Sequence, residues 1–212
     1  MNEGFKSINK CEFSEPFTKF SQYLELAKKM PNIVEPTAMC LSSVDERGFP
    51  SSRIVLLKSF DEKGFCFFTN LTSRKGYEIS KNPMVALCFY WERLLADELG
   101  AVQVRIVGKV EKVSAKEADA YFLSRPRGSQ IGAWASKQSC EMDNREEFEE
   151  RVEKITADFD GQEVPRPPFW SGFRVVPSEI EFWQEGNFRM HHRAFYKIDK
   201  LHNGWELSIL YP

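Results

Sequence analysis

TAMCLSSVDERGFPSSRIVLLKSFDEKGFCFFT, Thr37 to Thr69, decides the fold. Its apolar runs are separated by two polar turns, Asp45-Glu46-Arg47-Gly48 and Asp61-Glu62-Lys63-Gly64, each closing on glycine. Short strands joined by glycine-bearing turns predict antiparallel hairpins, since the reversing chain needs a residue that accepts positive φ. The pattern continues outward. MVALCFYW to Trp91 and VQVRIVGKVEKV from Val102 read as further strands. From Phe169 the alternation resumes through FRVV, IEFW, FRMHHRAFYKI and WELSIL, with turns at Glu185-Gly186-Asn187 and near Asn203-Gly204.

Helical spacing appears between these runs. Phe17, Phe20, Leu24 and Ala27 predict a helix over Pro16 to Lys29, closed by Met30-Pro31. Ser73 to Ser80 predicts a short helix stopped by Asn82-Pro83, and Lys116 begins another that ends at Arg125-Pro126. Asn144 to Phe159, with Phe148, Val152 and Ile155 at helical spacing, reads as an amphipathic surface helix, and Asp160 to Pro168 as a stiff loop. Many short strands and a few helices predict an α+β fold built on an antiparallel β-barrel with peripheral helices.

The 212 residues, 42% hydrophobic and 14% aromatic, suffice for one core, expected over 16–212 behind a flexible segment at 1–15. Basic and acidic residues, 29 and 31, are mixed along the chain, which excludes a general nucleic-acid binder. Cys11, Cys40, Cys66, Cys88 and Cys140 are an odd number without metal-ligand spacing. Three of them fall in strand patterns and are expected to be buried free thiols in a reducing compartment. With no signal peptide and no apolar run long enough to span a bilayer, the expectation is a cytoplasmic protein without a membrane partner.

The densest chemistry is YFLSRPRGSQIGAWASKQS, Tyr121 to Ser139. Ser129 is expected to cap a helix through Ile131 to Ala135, so that free N–H groups, a hydroxyl and the Arg125 and Arg127 guanidiniums converge on an anion such as phosphate. An ordinary capped helix with two solvated arginines uses the same residues. Arg53 and Lys58 in one strand, and Arg74 and Lys75 opening a helix, are a second set suited to a phosphate. No glycine-rich dinucleotide fingerprint or Walker sequence appears. In a strand, Arg189, His191 and Arg193 share one face, which favours an anion or electron-sink site over a metal. No metal site is expected.

The chain from Glu15 onward resembles the pyridoxine (pyridoxamine) 5′-phosphate oxidases. The likeness rests on AMCLSSVDERGFPSSRIVLLK, FFTNLTSRKG, NPMVALCFYW, QVRIVGKV, SRPRGSQIGAWASKQS and EFWQEGNFRMHHR. It implies a homodimeric split β-barrel with FMN at the subunit interface. It places FMN ligands at Arg53, Ile54, Val55, Leu56, Leu57, Lys58, Phe68, Thr69, Arg74, Lys75, Gln103, Gln138, Ser139, Trp183 and Arg193. The substrate phosphate falls to Lys58, Tyr121, Arg125 and Ser129, and the reacting ring to Arg189 and His191 as catalytic residues. The implied reaction oxidises pyridoxine or pyridoxamine 5′-phosphate to pyridoxal 5′-phosphate, with hydride passing to the flavin and O2 reoxidising it to give H2O2.

The sequence departs from that pattern at several places. ERLLADELGAV before Gln103 is a longer connection, Val102 and Ile209 stand where the family has arginine, His192 replaces an aspartate, and Met190 a leucine. Two other readings therefore accompany the oxidase: a related flavin oxidase acting on a different reduced ring, as in phenazine pathways, and a non-catalytic FMN- or pyridoxal-phosphate-binding protein.

Overall fold

The longest strand, Trp170–Gln184, is the spine of a ten-stranded antiparallel sheet in the computed structural model, which describes residues 9–94, 100–199, 201 and 204–212. In chain order the strands are β1 (Asn9–Cys11), β2 (Ala38–Val44), β3 (Pro50–Leu56), β4 (Ser59–Asp61), β5 (Gly64–Asn70), β6 (Met84–Trp91), β7 (Val102–Lys112), β8 (Trp170–Gln184), β9 (His192–Asp199) and β10 (Gly204–Leu210). The helices are α1 (Glu15–Lys29), α2 (Arg74–Lys81), α3 (Ala115–Leu123), α4 (Arg127–Ala135) and α5 (Arg145–Asp158). Residues 1–8, 95–99, 200 and 202–203, which include parts of the expected leading segment, of the long connection and of the last turn, lie outside the described residues.

The sheet order is β1-β10-β9-β8-β7-β6-β2-β3, with β5 paired to the first half of β8 and β4 to β5. β3 returns beside β5 without a ladder between them, so the barrel is split along that seam. There the predicted run SSRIVLLKSF breaks into β3 and β4, because the N–H of Leu57 goes to Thr37 O and that of Lys58 to Cys66 O. The chain thus forms the expected α+β split barrel.

Period-2 burial fills the interior: Met39 and Leu41 from β2, Leu87 and Phe89 from β6, Val104 and Ile106 from β7, Ile180 and Phe182 from β8. α1 lays Phe17, Phe20, Leu24 and Ala27 on this core, and the Phe20 ring meets those of Phe60 and Phe65 at 4.9 Å. Burying one such ring contributes about 1.5–3 kcal/mol. A smaller cluster, Phe122, Ile131, Val164 and Trp170, fastens α3 and α4 to the start of β8, with Val152 and Ile155 of α5 packed on it.

Three expectations need correction. The leading segment is not loose throughout, because Asn9–Cys11 pairs with β10 and Phe13 O accepts from the Trp205 indole. FRVV and IEFW belong to one strand; Pro177, which has no N–H to give, is accommodated by a register shift opposite Val107 and Gly108. Of the strand cysteines only Cys66 is buried, while Cys40 and Cys88 sit half-buried opposite each other on β2 and β6. No helix among the described residues is long and apolar enough to cross a membrane.

Candidate functional site

A cleft of about 760 Å³ opens between the β3–β5 seam and the corner joining α3 to α4. One wall is Ile54, Val55, Leu56 and Lys58, the other Tyr121, Arg125 and Ser129, and Phe68, Thr69, Lys75 and Gln138 close it. Sequence expectations from three separate stretches therefore meet in one place.

Its polar end is tied together across the chain. Lys75 Nζ donates to Gln138 Oε1 at 2.8 Å, to Thr69 Oγ1 at 3.2 Å and to Ser73 Oγ at 3.3 Å, and Thr69 Oγ1 donates to the same Gln138 oxygen. Burial, then the Arg53 charge, lower the Lys75 pKa, while Glu78 acts against them. Ser73 caps α2 by accepting from Gly76 N, so Arg74 and Lys75 occupy the positive end of the helix.

The opposite end is aromatic. Phe68 stacks on Tyr121 at 4.0 Å and on Trp170 at 5.4 Å. Only glycine fits at position 172, because a Cβ there would stand 2.6 Å from the Phe68 ring. The Arg125 guanidinium lies 4.8 Å from the Trp170 ring centroid, and its buried Nη1 has no hydrogen-bond partner. Burial lowers the Arg125 pKa while Tyr121 raises it. A partly desolvated guanidinium that lines a 760 Å³ cleft and keeps one donor unsatisfied by the protein suits an anion.

The cation set is smaller than expected. Arg127 turns away, donating to Phe159 O at 2.6 Å and Gln162 O at 2.8 Å. Ser129 does not cap α4: Pro126 holds the N-cap position, and the N–H groups of Ser129 and Gln130 both bond to Pro126 O. Proline already supplies an extended entry conformation, so the N-cap, and with it the helix start, lies three residues earlier. Arg53, Leu57, Arg74 and Ser139 do not line the cleft. Leu57 is in the core, and both terminal nitrogens of Arg53 are engaged by Leu41 O, Ser43, Ser51 and Glu78. Ser139, at φ 71°, lines an adjoining cavity that shares Ser136, Gln138 and Phe148 with the main cleft.

Trp183, Arg189 and His191 line a second cleft, of about 720 Å³, that shares no residue with the first. Arg189, His191 and Arg193 do not share a strand face. Asn187–Arg189 is a 3-10 turn, Phe188 and Arg189 hold φ of 55° and 64°, and β9 starts only at His192. Such left-handed backbone is costly for residues with side chains and clusters at functional sites. Gly186 permits the turn, since a Cβ there would strike Met190 O. The Gly186 N–H donates to His191 Nδ1 at 3.2 Å, and the imidazole packs 4.5 Å from the Trp183 ring. Gln103, Trp183 and Arg193 lie side by side on β7, β8 and β9. Arg193 Nε donates to Glu181 at 2.7 Å, and this bond raises the Arg193 pKa.

Asn70, Ser136, Phe148 and Trp170 also line the main cleft but were not singled out from the sequence. Trp170 carried a usable signal, an aromatic at a strand start. Phe148 was read only as part of an amphipathic face. Among the described residues no group of three or more His, Cys, Asp or Glu could hold a metal ion.

Residues 26–158 match the family described as pyridoxamine 5′-phosphate oxidase, and residues 170–212 the pyridoxine 5′-phosphate oxidase C-terminal dimerisation region. The pyridoxine/pyridoxamine 5′-phosphate oxidase of Myxococcus xanthus (strain DK1622) is 50% identical over 198 residues, covering 93% of this chain and 92% of its own. The enzyme of that name from Xylella fastidiosa is 50% identical over 200 residues, 94% of each. Among solved structures, PhzG from Burkholderia lata 383, in complex with tetrahydrophenazine-1-carboxylic acid, superposes with a TM-score of 0.84 at 31% identity, over 94% of this chain and 93% of its own. A pyridoxamine 5′-phosphate oxidase-related, FMN binding protein from Nostoc punctiforme shares the fold, with a TM-score of 0.70 at 14% identity over 92% of this chain and 96% of its own.

Proposed function

The chain belongs to the pyridoxamine 5′-phosphate oxidase family, and from that premise we propose that it oxidises pyridoxine and pyridoxamine 5′-phosphates to pyridoxal 5′-phosphate, using FMN and O2 and releasing H2O2. The observation that carries this reading is the main cleft. Lysines, an arginine with a buried unused donor, hydroxyls and an aromatic stack line a space of about 760 Å³. That donor set fits two phosphorylated planar molecules better than one neutral ring.

Lys58, Tyr121, Arg125 and Ser129 hold the substrate phosphate. Thr69, Lys75 and Gln138, with Arg74 at the α2 N-terminus, hold FMN, and Ile54 to Leu56 flank its ring system. The chemistry FMN would supply there is acceptance of two electrons from the exocyclic substrate carbon and their return to O2. The protein's own work is positional: phosphate contacts remote from the reacting carbon supply binding energy that orients the C–H bond.

Trp183, Arg189, His191 and Arg193 reach the cleft from a second copy of the chain. Two observations support a homodimer with shared sites: the separate clefts of the single chain and the dimerisation-region match over 170–212. With Nδ1 accepting from Gly186, His191 offers its Nε2–H to a substrate oxygen or nitrogen. Arg189 adds a fixed positive charge beside it.

The superposition with PhzG favours a second reading, oxidation of another reduced ring. The cationic cleft weighs against it, because an unphosphorylated ring leaves Arg125 and Lys58 unmatched. One anaerobic experiment tests both. FMN-loaded protein is mixed with pyridoxamine 5′-phosphate or an unphosphorylated reduced ring, its visible absorbance is followed, and air is then admitted. Bleaching by the phosphorylated vitamer alone, recovery in air and an aldehyde product are expected. Persistent yellow colour with demonstrated substrate binding would instead identify a non-catalytic binding protein.

A further inference from the structure

We propose that Glu78 is a positioning residue for the phosphate end of the flavin site, a single buried carboxylate that aims guanidiniums from two different elements. The inference rests on the flavin reading above. Glu78, on the fifth position of α2, is 2% exposed, yet it is surrounded by donors. Its Oε2 accepts from Ser43 Oγ at 2.6 Å, Ser51 Oγ at 2.7 Å and Arg53 Nη2 at 3.0 Å, and its Oε1 accepts from Arg74 Nε at 2.9 Å.

The two arginines are held differently. Arg53 comes from β3, has 20% of its side chain exposed, and gives both terminal nitrogens to this network. It is a fixed charge behind the site. Arg74 comes from the first position of α2, has 63% of its side chain exposed, and is gripped through Nε one helical turn from Glu78. That grip restricts a long side chain which otherwise samples many rotamers; Arg74 stands outside the cleft lining, next in sequence to Lys75, which is part of it. Arg53, Arg74 and Lys75 against Glu78 leave two net positive charges, 3 − 1, which matches a phosphomonoester dianion.

A glutamine cannot replace this carboxylate. Whichever way its amide lies, an NH2 donor faces either the Arg74 Nε–H or the Arg53 and serine donors. The oxygen stays with the three donors, so Arg74 is the group released.

The test compares two flavins that differ only at the phosphate. FMN and riboflavin are titrated into wild-type protein, Glu78→Gln and Glu78→Asp, with flavin fluorescence as the readout. In Glu78→Gln the FMN dissociation constant is expected to rise about tenfold, the loss of one charge-assisted contact. Riboflavin affinity should stay within about twofold, since the ring end is untouched. Glu78→Asp keeps the charge beside buried Arg53 but falls one methylene short of Arg74, so its FMN loss should be smaller, and it carries the comparison if Glu78→Gln does not fold. Unchanged or tighter FMN binding in both variants overturns the assignment. Equal losses for FMN and riboflavin also overturn it, reducing Glu78 to a packing role. Wild-type protein that binds neither flavin overturns the flavin reading and this inference with it.

Discussion

Lys75 and Gln138 join the two walls of the main cleft: the Lys75 ammonium donates to the Gln138 side-chain oxygen at 2.8 Å across 63 residues of sequence. The contact ties the start of α2 to the segment beyond α4. A half-buried ammonium held by neutral oxygens retains most of its charge for an incoming anion. Lys75→Met is therefore expected to weaken FMN binding by about tenfold or more, and Gln138→Ala by a smaller factor. Fluorescence titration checks both, and unaltered affinity in Lys75→Met would remove this lysine from the cofactor site.

Arg125 and Arg127 stand two residues apart but should behave oppositely. Arg125 faces the cleft with an unpartnered Nη1, whereas Arg127 binds two carbonyls at the end of α5 and beyond. Arg125→Ala should raise KM for pyridoxamine 5′-phosphate by about tenfold or more with little change in melting temperature. Arg127→Ala should leave KM unchanged and lower Tm by a few degrees, the effect of about 1 kcal/mol in a chain of this size. Steady-state kinetics and thermal melts on the pair would expose a reversed assignment.

Glu78 makes folding stability depend on acid. Burial pushes its carboxyl up, but hydrogen bonds from Ser43, Ser51, Arg74 and Arg53 outweigh burial and hold it at about 2, against an ordinary 4.5. Because the folded value is the lower one, this stabilisation is complete above pH 4.5 and is lost as pH falls toward 2. The shift corresponds to about 3 kcal/mol. Glu78→Gln should flatten that part of the stability curve, measured by urea denaturation at several pH values. An identical slope in wild type and variant would show that the carboxyl is not held down in the folded state.

The two clefts of one chain can be tested for partnership by mixing impaired variants and assaying them at substrate concentrations well below KM. Arg125→Ala and Arg189→Ala alter different clefts. After co-refolding, half the dimers are mixed, and each mixed dimer contains one intact site and one doubly altered site. About a quarter of wild-type activity should return. No recovery, with mixed dimers verified by mass, would mean that both residues serve the same chain's site.

Much of this fold was legible because strand and turn signals are local. Glycine-terminated turns and alternating burial over Thr37 to Thr69 translate directly into the β2–β3 and β4–β5 hairpins. The Phe17, Phe20, Leu24 and Ala27 stripe likewise became the buried face of α1. The site was less legible. Ser129 carries a helix-cap signal, yet Pro126 starts α4 earlier. The Arg189 to Arg193 run reads as an alternating strand, but Gly186 allows a tight turn that keeps Arg189 and His191 out of β9.

Read alone, the residues establish the family, the α+β barrel and the cationic and aromatic residue types of the main cleft, because each is written in contiguous blocks or short-range periodicity. Only the tertiary structure decided which cations face the cleft. Arg53 and Arg127 have the same chemistry as Arg125, but Glu78 with its serines engages the first and the carbonyls of Phe159 and Gln162 the second. A guanidinium's partners come from segments distant in sequence, so its direction is settled when those segments pack.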